Sequence, residues 1–201
     1  MMKINIRTNF PQVVAEMNRL GRDMGDKAMV RALNKTVAQG ETEMARRISK
    51  EFNISSATAK SRLAIRRASA KGGAVRFEAI LEASRRGKGR SMNLIAFVEK
   101  SVSMAEARRR AKKGTLNQLR FQIKRSGGKK TIAGAFIQNK GRTVFIRTGK
   151  SRFPIKALNT IGIGQMFNTR RINSAVIDVM LKRFAVNFQR EARALSKGFI
   201  K

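Results

Sequence analysis

Hydrophobic and polar positions divide the chain into a helical start, a strand-rich middle and a helical end. Between residues 26 and 52, apolar side chains recur at spacings of three, four and seven residues, which places them on one face of a helix of about six to seven turns. They are Val30, Leu33, Val37, Met44 and Ile48. Gly40 inside this helix should weaken it by up to about 1 kcal/mol relative to alanine.

Shorter elements flank this helix. Residues 3–7 alternate polar and apolar side chains, which predicts a strand, and a short helix is expected after Pro11 as far as Leu20. Ser55 or Ser56 can cap a second helix, whose pattern extends to about Ser69. Residues 10–69 are thus predicted to be mainly helical.

Strand patterns dominate residues 72–160. They cover residues 75–80, 94–98, 119–124, 132–138 and 143–147, and residues 139–142 combine asparagine and glycine as hairpin turns do. Phe153, Pro154 and Ile155 predict a short edge strand, because proline has no N–H to give to a central ladder.

A second long helix is predicted over residues 167–196, with Gly198 placed to end it. Its apolar stripe consists of Ile172, Val176, Val179, Met180, Phe184, Phe188, Ala192 and Leu195. Helices followed by strands and a further helix indicate an α+β fold. We expect N-terminal amphipathic helices, a central antiparallel β-sheet with basic loops and a long C-terminal helix, joined in a single domain over residues 1–201.

The charge of the chain points to an anionic partner. Its 201 residues carry 45 Lys and Arg against 12 Asp and Glu, a net charge of +33, yet 42% of the residues are hydrophobic, which is enough to build a core. So many like charges on a compact chain repel one another and oppose folding. Nucleic acid, an anionic membrane or acidic protein neighbours would relieve that repulsion.

Missing residue types argue against an enzyme. The chain has no Cys, His, Trp or Tyr, and its acidic residues are scattered singly, so no nucleophile–base set stands out. We therefore expect neither catalysis nor a cofactor nor a metal. No apolar run approaches the roughly 18 residues that indicate a membrane span. Residues 1–8 lack the apolar segment of a secretory signal, so synthesis in the cytoplasm is expected.

Clusters of Lys and Arg lie in the strand-rich region. Between Arg85 and Lys130 there are 15 basic residues against Glu99 and Glu106, interleaved with Gly and Ser as in long loops. Three interpretations remain open: contact with nucleic-acid phosphates, contact with acidic neighbouring subunits, or solvated loops without a partner. The residues predicted to contact a polyanion are Arg85, Arg86, Lys88, Arg90, Arg108, Arg109, Arg110, Lys112, Lys113, Lys124, Arg125, Lys129 and Lys130.

Residues 44–68 also resemble a helix-turn-helix. Asn53 would stand at the turn, Ile54 would face inward, and Ser and Thr would lead the second helix. This pattern indicates an alternative function, sequence-specific DNA binding. Two amphipathic helices joined by a capped turn give the same pattern for packing reasons alone.

Two short motifs carry a resemblance to a known family. They are Gly134-Ala135-Phe136-Ile137 and Arg152-Phe153-Pro154-Ile155. Together with an Ala-rich helix in which Lys35 follows Asn34, they resemble the minor tail protein Z family of lambda-like phages and prophages. We expect Phe136, Ile137, Phe145 and Ile155 to be core residues of a sheet.

The resemblance implies a structural virion protein that completes the phage tail at its head-proximal end and supports head–tail joining near the end of the packaged DNA. It implies as partners the tail terminator, tail tube or head-connector proteins, and by analogy a homo-oligomeric ring of six copies. Non-specific contact with DNA is expected, and no membrane or cofactor. The protein would be made in the cytoplasm of the host bacterium and end up in the virion tail.

Overall fold

The computed structural model describes residues 3–5, 21–71, 74–83, 91–99 and 119–197, and its elements confirm the α+β class. The helices are α1 (Arg22–Glu51), α2 (Ser56–Lys60), α3 (Ile163–Phe167) and α4 (Arg170–Lys197), with a 3₁₀ helix at Leu94–Phe97. The strands are β1 (Lys3–Asn5), β2 (Ala64–Arg66), β3 (Ser69–Lys71), β4 (Ala74–Arg76), β5 (Ile80–Glu82), β6 (Arg120–Phe121), β7 (Lys130–Thr131), β8 (Phe136–Gln138), β9 (Thr143–Arg147) and β10 (Ile155–Ala157).

Two compact units organise these elements. The helical unit combines Met1–Ile48, Ser56–Gly89 and Ile163–Lys201, and the β unit combines Ser49–Ser55 with Arg90–Gly162. Instead of one central sheet, the described strands form four small antiparallel sheets. The single domain over residues 1–201 stays a prediction. The predicted helix after Pro11 and the predicted end at Gly198 lie outside the described residues.

The core of the helical unit lies between α1 and α4, which confirms both long amphipathic helices. The two helices run antiparallel, because Lys35 of α1 meets Glu191 of α4 while Gly40 meets Met180. The buried residues of α1 are Ala28, Met29, Ala32, Leu33, Thr36, Val37, Met44, Ala45 and Ile48. Those of α4 are Ile172, Val176, Met180, Phe184, Asn187, Phe188, Glu191 and Ala192. Val30 of α1, and Val179 and Leu195 of α4, were also expected on the apolar faces but are half-buried.

Polar contacts fix the register of this helix pair. The Asn187 side-chain amide donates hydrogen bonds to Thr36 Oγ1 (3.0 Å) and Gln39 Oε1 (3.1 Å). One turn further along α4, the buried carboxylate of Glu191 pairs with Lys35 and lies 3.9 Å from a guanidinium nitrogen of Arg31. A slip of the helices would leave these buried polar groups without partners, and the cost of that disfavours other registers.

Gly40 has a role in helix packing that cannot be inferred from its low helix propensity. A Cβ built at this position would lie 2.4 Å from Met180 Sδ, so the absence of a side chain lets α4 approach α1 closely. We expect Gly40→Leu to lower the free energy of unfolding by about 1–3 kcal/mol, the usual cost of overpacking. Urea unfolding measures this, and adding Met180→Ala to the same chain should restore part of the loss. A Gly40→Leu protein as stable as the parent would contradict this role.

The second N-terminal helix is much shorter than its sequence pattern predicts. α2 ends at Lys60, and residues 64–66 form β2, paired antiparallel with β5. Residues 69–71 form β3, which pairs with β4. The prediction of a helix to Ser69 is therefore wrong, because pairing with distant strands outweighs the local helical pattern. The prediction of a helix-turn-helix at residues 44–68 is also wrong, because the second helix ends at Lys60 and a strand follows it.

Side chains tie the segment after α2 to α1 and to β5. Asn34 accepts from the N–H of Ala68 (2.9 Å) and donates to its carbonyl oxygen (3.0 Å), as a neighbouring strand would. Glu82 is 3% exposed at the end of β5, and its carboxylate lies 3.2 Å from Arg66 Nε. These contacts fix the segment that sequence patterns placed in a helix.

The 3₁₀ helix in the β unit replaces a predicted strand at residues 94–98. Asn93 caps it by accepting from the N–H of Ile95 (3.1 Å). The same side chain accepts from the N–H of Val144 (2.8 Å) and donates to its carbonyl oxygen (3.2 Å). An apolar run of five residues is ambiguous on its own, and here the capping asparagine before it decides for a helical turn.

The sheet of β8, β9 and β10 confirms the predicted hairpin. Its central strand is β9, and the turn at residues 139–142 has positive φ at Asn139, Lys140 and Gly141. The edge strand predicted at Phe153, Pro154 and Ile155 is shifted along the chain, because β10 covers Ile155–Ala157 and only Ile155 belongs to both. The four side chains expected in the core of this sheet are less buried than predicted. Val144 is fully buried, whereas four side chains are only half-buried: Phe136, Ile137, Phe145 and Ile155.

Candidate interaction surface

Positive charge is the leading chemical feature of the chain, including the part that the structure describes. No three His, Cys, Asp or Glu side chains among the described residues come together in a way that could hold a metal ion. None of the described helices has the length and apolar character needed to cross a membrane. The distribution of cations is a feature that the structure shows residue by residue over its described part.

Residues 119–162 of the β unit are basic and contain no acidic residue at all. The cations of this segment are Arg120, Lys124, Arg125, Lys129, Lys130, Lys140, Arg142, Arg147, Lys150, Arg152 and Lys156. All are exposed. A surface of one sign attracts and orients partners of the other sign, so this segment is the candidate interaction surface of the β unit.

The loop between β6 and β7, taken together with Lys130 at the start of β7, carries four of the predicted polyanion contacts. Gln122 holds it in shape by donating to the carbonyl oxygens of Arg125 (3.1 Å) and Gly127 (3.0 Å). Arg125 donates from its backbone N–H to Glu51 O (2.9 Å) and from Nε to Ser49 O (2.7 Å). These carbonyls belong to the last turn of α1, where a cation is favoured by unpaired oxygens and by the helix dipole.

The four loop cations therefore differ in what they can offer a partner. Arg125 caps the end of α1, and Lys129 pairs with the carboxylate of Glu99. Lys124 and Lys130 are exposed, and no carboxylate among the described residues forms an ion pair with either. The other predicted contacts lie outside the described residues: Arg85, Arg86, Lys88, Arg90, Arg108, Arg109, Arg110, Lys112 and Lys113.

A groove of about 480 Å³ lies along the two long helices of the helical unit. It is lined by Ala38, Gln39, Thr42, Glu43, Val179 and Arg183. Hydrogen bonds from Arg46 lower the pKa of Glu43, against the opposing effect of burial and with help from Arg47. Because its charge is satisfied by its own helix, Glu43 stabilises α1 and is not a candidate acid or base.

The loop after β9 carries an aromatic feature that sequence reasoning missed. Phe153 is 63% exposed, although its motif was expected to be part of an edge strand. The guanidinium carbon of Arg152 lies 5.8 Å from the centroid of the Phe153 ring, and that of Arg147 lies 4.9 Å from the Phe136 ring. Of the two motifs, Gly134, Arg152, Phe153 and Pro154 are exposed. The signal available in the sequence was the position of Phe153 between Arg and Pro.

Comparison with known proteins identifies the family. The family model described as prophage minor tail protein Z (GPZ) matches residues 10–197, which is nearly the whole chain. Comparisons with curated proteins and with solved structures give no match. The match includes both long helices, the Asn34 contact and both motifs of the β unit. The chain therefore belongs to the prophage minor tail protein Z family, a family of structural phage tail proteins of the virion.

Proposed function

We propose that this tail protein completes the phage tail at its head-proximal end and supports the joining of tail to head. The observation that carries the proposal is the family match over residues 10–197. The resemblance of the two motifs to the family supports the head-proximal position as part of this proposal. A role in assembly also agrees with a net charge of +33, because anionic neighbours reduce the self-repulsion of the isolated chain.

The partners of this proposal are the tail terminator, the tail tube or the head connector. A homo-oligomeric ring of six copies would match the symmetry expected of the tail. Such a ring closes through heterologous contacts, in which one patch of each copy meets a different patch of the next.

Packaged DNA is the second proposed contact. Lys124 and Lys130 support it, since both are exposed and form no ion pair among the described residues. The charges of Arg125 and Lys129 add to the local field, although their donors also serve the loop itself. Contacts of this kind would reach phosphates and carry no base preference.

Electron microscopy of particles made without the protein tests the proposal. A prophage that lacks this gene should release filled heads and tails of normal length that are not joined. The control is the same prophage supplied with the full chain in trans, which should restore joined, infectious particles. Joined particles at parental numbers in the absence of the protein would overturn the proposal, and a lack of tails would place its action in tube assembly instead.

A further inference from the structure

The exposed loop between β9 and β10 lies within the candidate interaction surface, but the proposed DNA contact through Lys124 and Lys130 does not use it. We propose that residues 148–154 form a docking tip, which inserts Phe153 into an apolar pocket rimmed by carboxylates on a different protein of the virion. The proposal rests on the proposed function only in that the partner is a virion protein. It does not depend on the head-proximal position.

The docking tip is held in shape at its base. Thr148 donates from its backbone N–H (3.2 Å) and from its hydroxyl (3.1 Å) to the carbonyl oxygen of Pro154. Directly beyond these residues, Arg147 of β9 pairs with Ile155 of β10. A loop that is closed by the sheet and by its own hydrogen bonds loses little further freedom on binding, which favours affinity.

Phe153 supplies the apolar anchor of the docking tip. Among the large hydrophobic side chains exposed in the described part of the chain, it has the largest exposed fraction: 63%, against 43% for Phe77, 39% for Val186 and 38% for Leu181. Pro154 beside it is also exposed and extends the apolar patch. Aromatic side chains and arginine are both enriched in protein interfaces relative to the rest of the surface.

Cations around the ring define the chemistry of the partner. Lys150 and Arg152 of the docking tip and Arg147 at its base are exposed, and none forms an ion pair among the described residues. Carboxylates around a pocket would complement them and fix the orientation of the loop. Duplex DNA could meet these cations through its phosphates, but it would gain nothing from the exposed ring and proline.

A second copy of this chain is poorly suited to supply the pocket for the docking tip, because it has few carboxylates. The chain has only 12 acidic residues against 45 basic ones. In the part of the chain that the structure describes, ion pairs already engage the carboxylates of Glu41, Glu43, Glu82, Glu99 and Glu191. A carboxylate-rimmed pocket is therefore more readily supplied by a different and more acidic protein.

Photo-crosslinking in assembled particles tests the docking tip. The full chain with the photoreactive phenylalanine analogue benzoylphenylalanine in place of Phe153 would be supplied to a prophage that lacks the gene, and the released particles would be irradiated. We expect one crosslinked virion protein, attached at a peptide flanked by Asp or Glu. The matched control carries the analogue at Phe77, the other exposed phenylalanine among the described residues, and should give no such product. A crosslink only to DNA, only to another copy of the chain, or to nothing would overturn the proposal.

Variant chains give a second readout in the same particles. We expect Phe153→Ala and Arg152→Glu to reduce the amount of the protein in purified particles by about tenfold or more, as for truncation of an interface hot spot. Phe77→Ala and Arg152→Lys should stay near parental levels. All four should melt within a few degrees of the parent, because residues 77, 152 and 153 are exposed. Parental incorporation of both Phe153→Ala and Arg152→Glu would contradict the docking tip. Head–tail joining is scored separately from incorporation, so that a failure of the proposed function can be distinguished from a failure of the docking tip.

Discussion

The affinity of the full chain for duplex DNA is expected to fall by roughly 10³–10⁵-fold between about 50 and 200 mM salt, if the proposed DNA contact is correct. This loss corresponds to six to ten phosphate contacts, each of which contributes a slope of about −0.9 to log K against log salt. Binding isotherms on duplexes of unrelated sequence should superimpose. A slope near zero, or a preference of about a hundredfold for one sequence, would contradict phosphate-backbone binding.

A pair of substitutions tests whether part of the proposed DNA contact lies at the loop between β6 and β7. Lys124→Gln with Lys130→Gln should make the salt slope less steep by about 2, since two phosphate contacts are lost. The matched control is Lys182→Gln with Arg193→Gln, which removes the same charge from exposed positions of α4. An equal decrease of the salt slope in both double variants would mean that DNA binding depends only on net charge and that the loop has no special part.

Phe184→Ala is expected to lower the free energy of unfolding by about 3–5 kcal/mol, the usual cost of emptying a buried phenylalanine site. Phe184 is 0% exposed in the core between α1 and α4, and its ring lies 6.3 Å from that of Phe188. For a chain of this size the melting temperature should fall by roughly 6–20 °C.

Phe77→Ala is the control for this core prediction. It is the same substitution in the same unit, at a side chain that is 43% exposed. Its cost should stay below about 1 kcal/mol, because little apolar area returns to water and no enclosed cavity forms. Similar costs for both variants, measured by denaturant unfolding, would show that the helix pair does not form the core described for this unit.

The long helices could be predicted because their signal is local and repeated. α1 begins four residues before the predicted start and ends one residue before the predicted end, and α4 agrees to within three residues at each end. The packing at Gly40 could not be predicted, because it depends on Met180, which lies far away in the sequence. From helix propensity alone, Gly40 was expected only to weaken the helix.

The region after α2 shows why a local pattern can fail. Residues 64–66 have a sequence that suits the last turns of a helix, but they pair with β5, and Arg66 reaches the buried Glu82. Asn34 holds the next segment through Ala68, 34 residues away. These partners are invisible to any window of 11–18 residues, which is the range over which helical periodicity is judged.

The candidate surface was predictable in character but not in detail. The density of Lys and Arg indicated an anionic partner, and residues 119–162 are indeed free of acids. Which cations are engaged within the chain depends on distant contacts, such as Arg125 with Ser49 and Lys129 with Glu99. The exposure of Phe153 depended likewise on the path of the loop after β9, which the motif alone does not specify.

Localisation of the chain in finished particles tests the central claim most directly. A peptide tag would be placed at the C-terminus of the chain, the tagged chain would be checked for restored infectivity in a prophage that lacks the gene, and gold-labelled antibody would be viewed by electron microscopy. The account predicts label confined to the junction of head and tail. Label along the whole tail, at its far end, or absent from purified particles would contradict it.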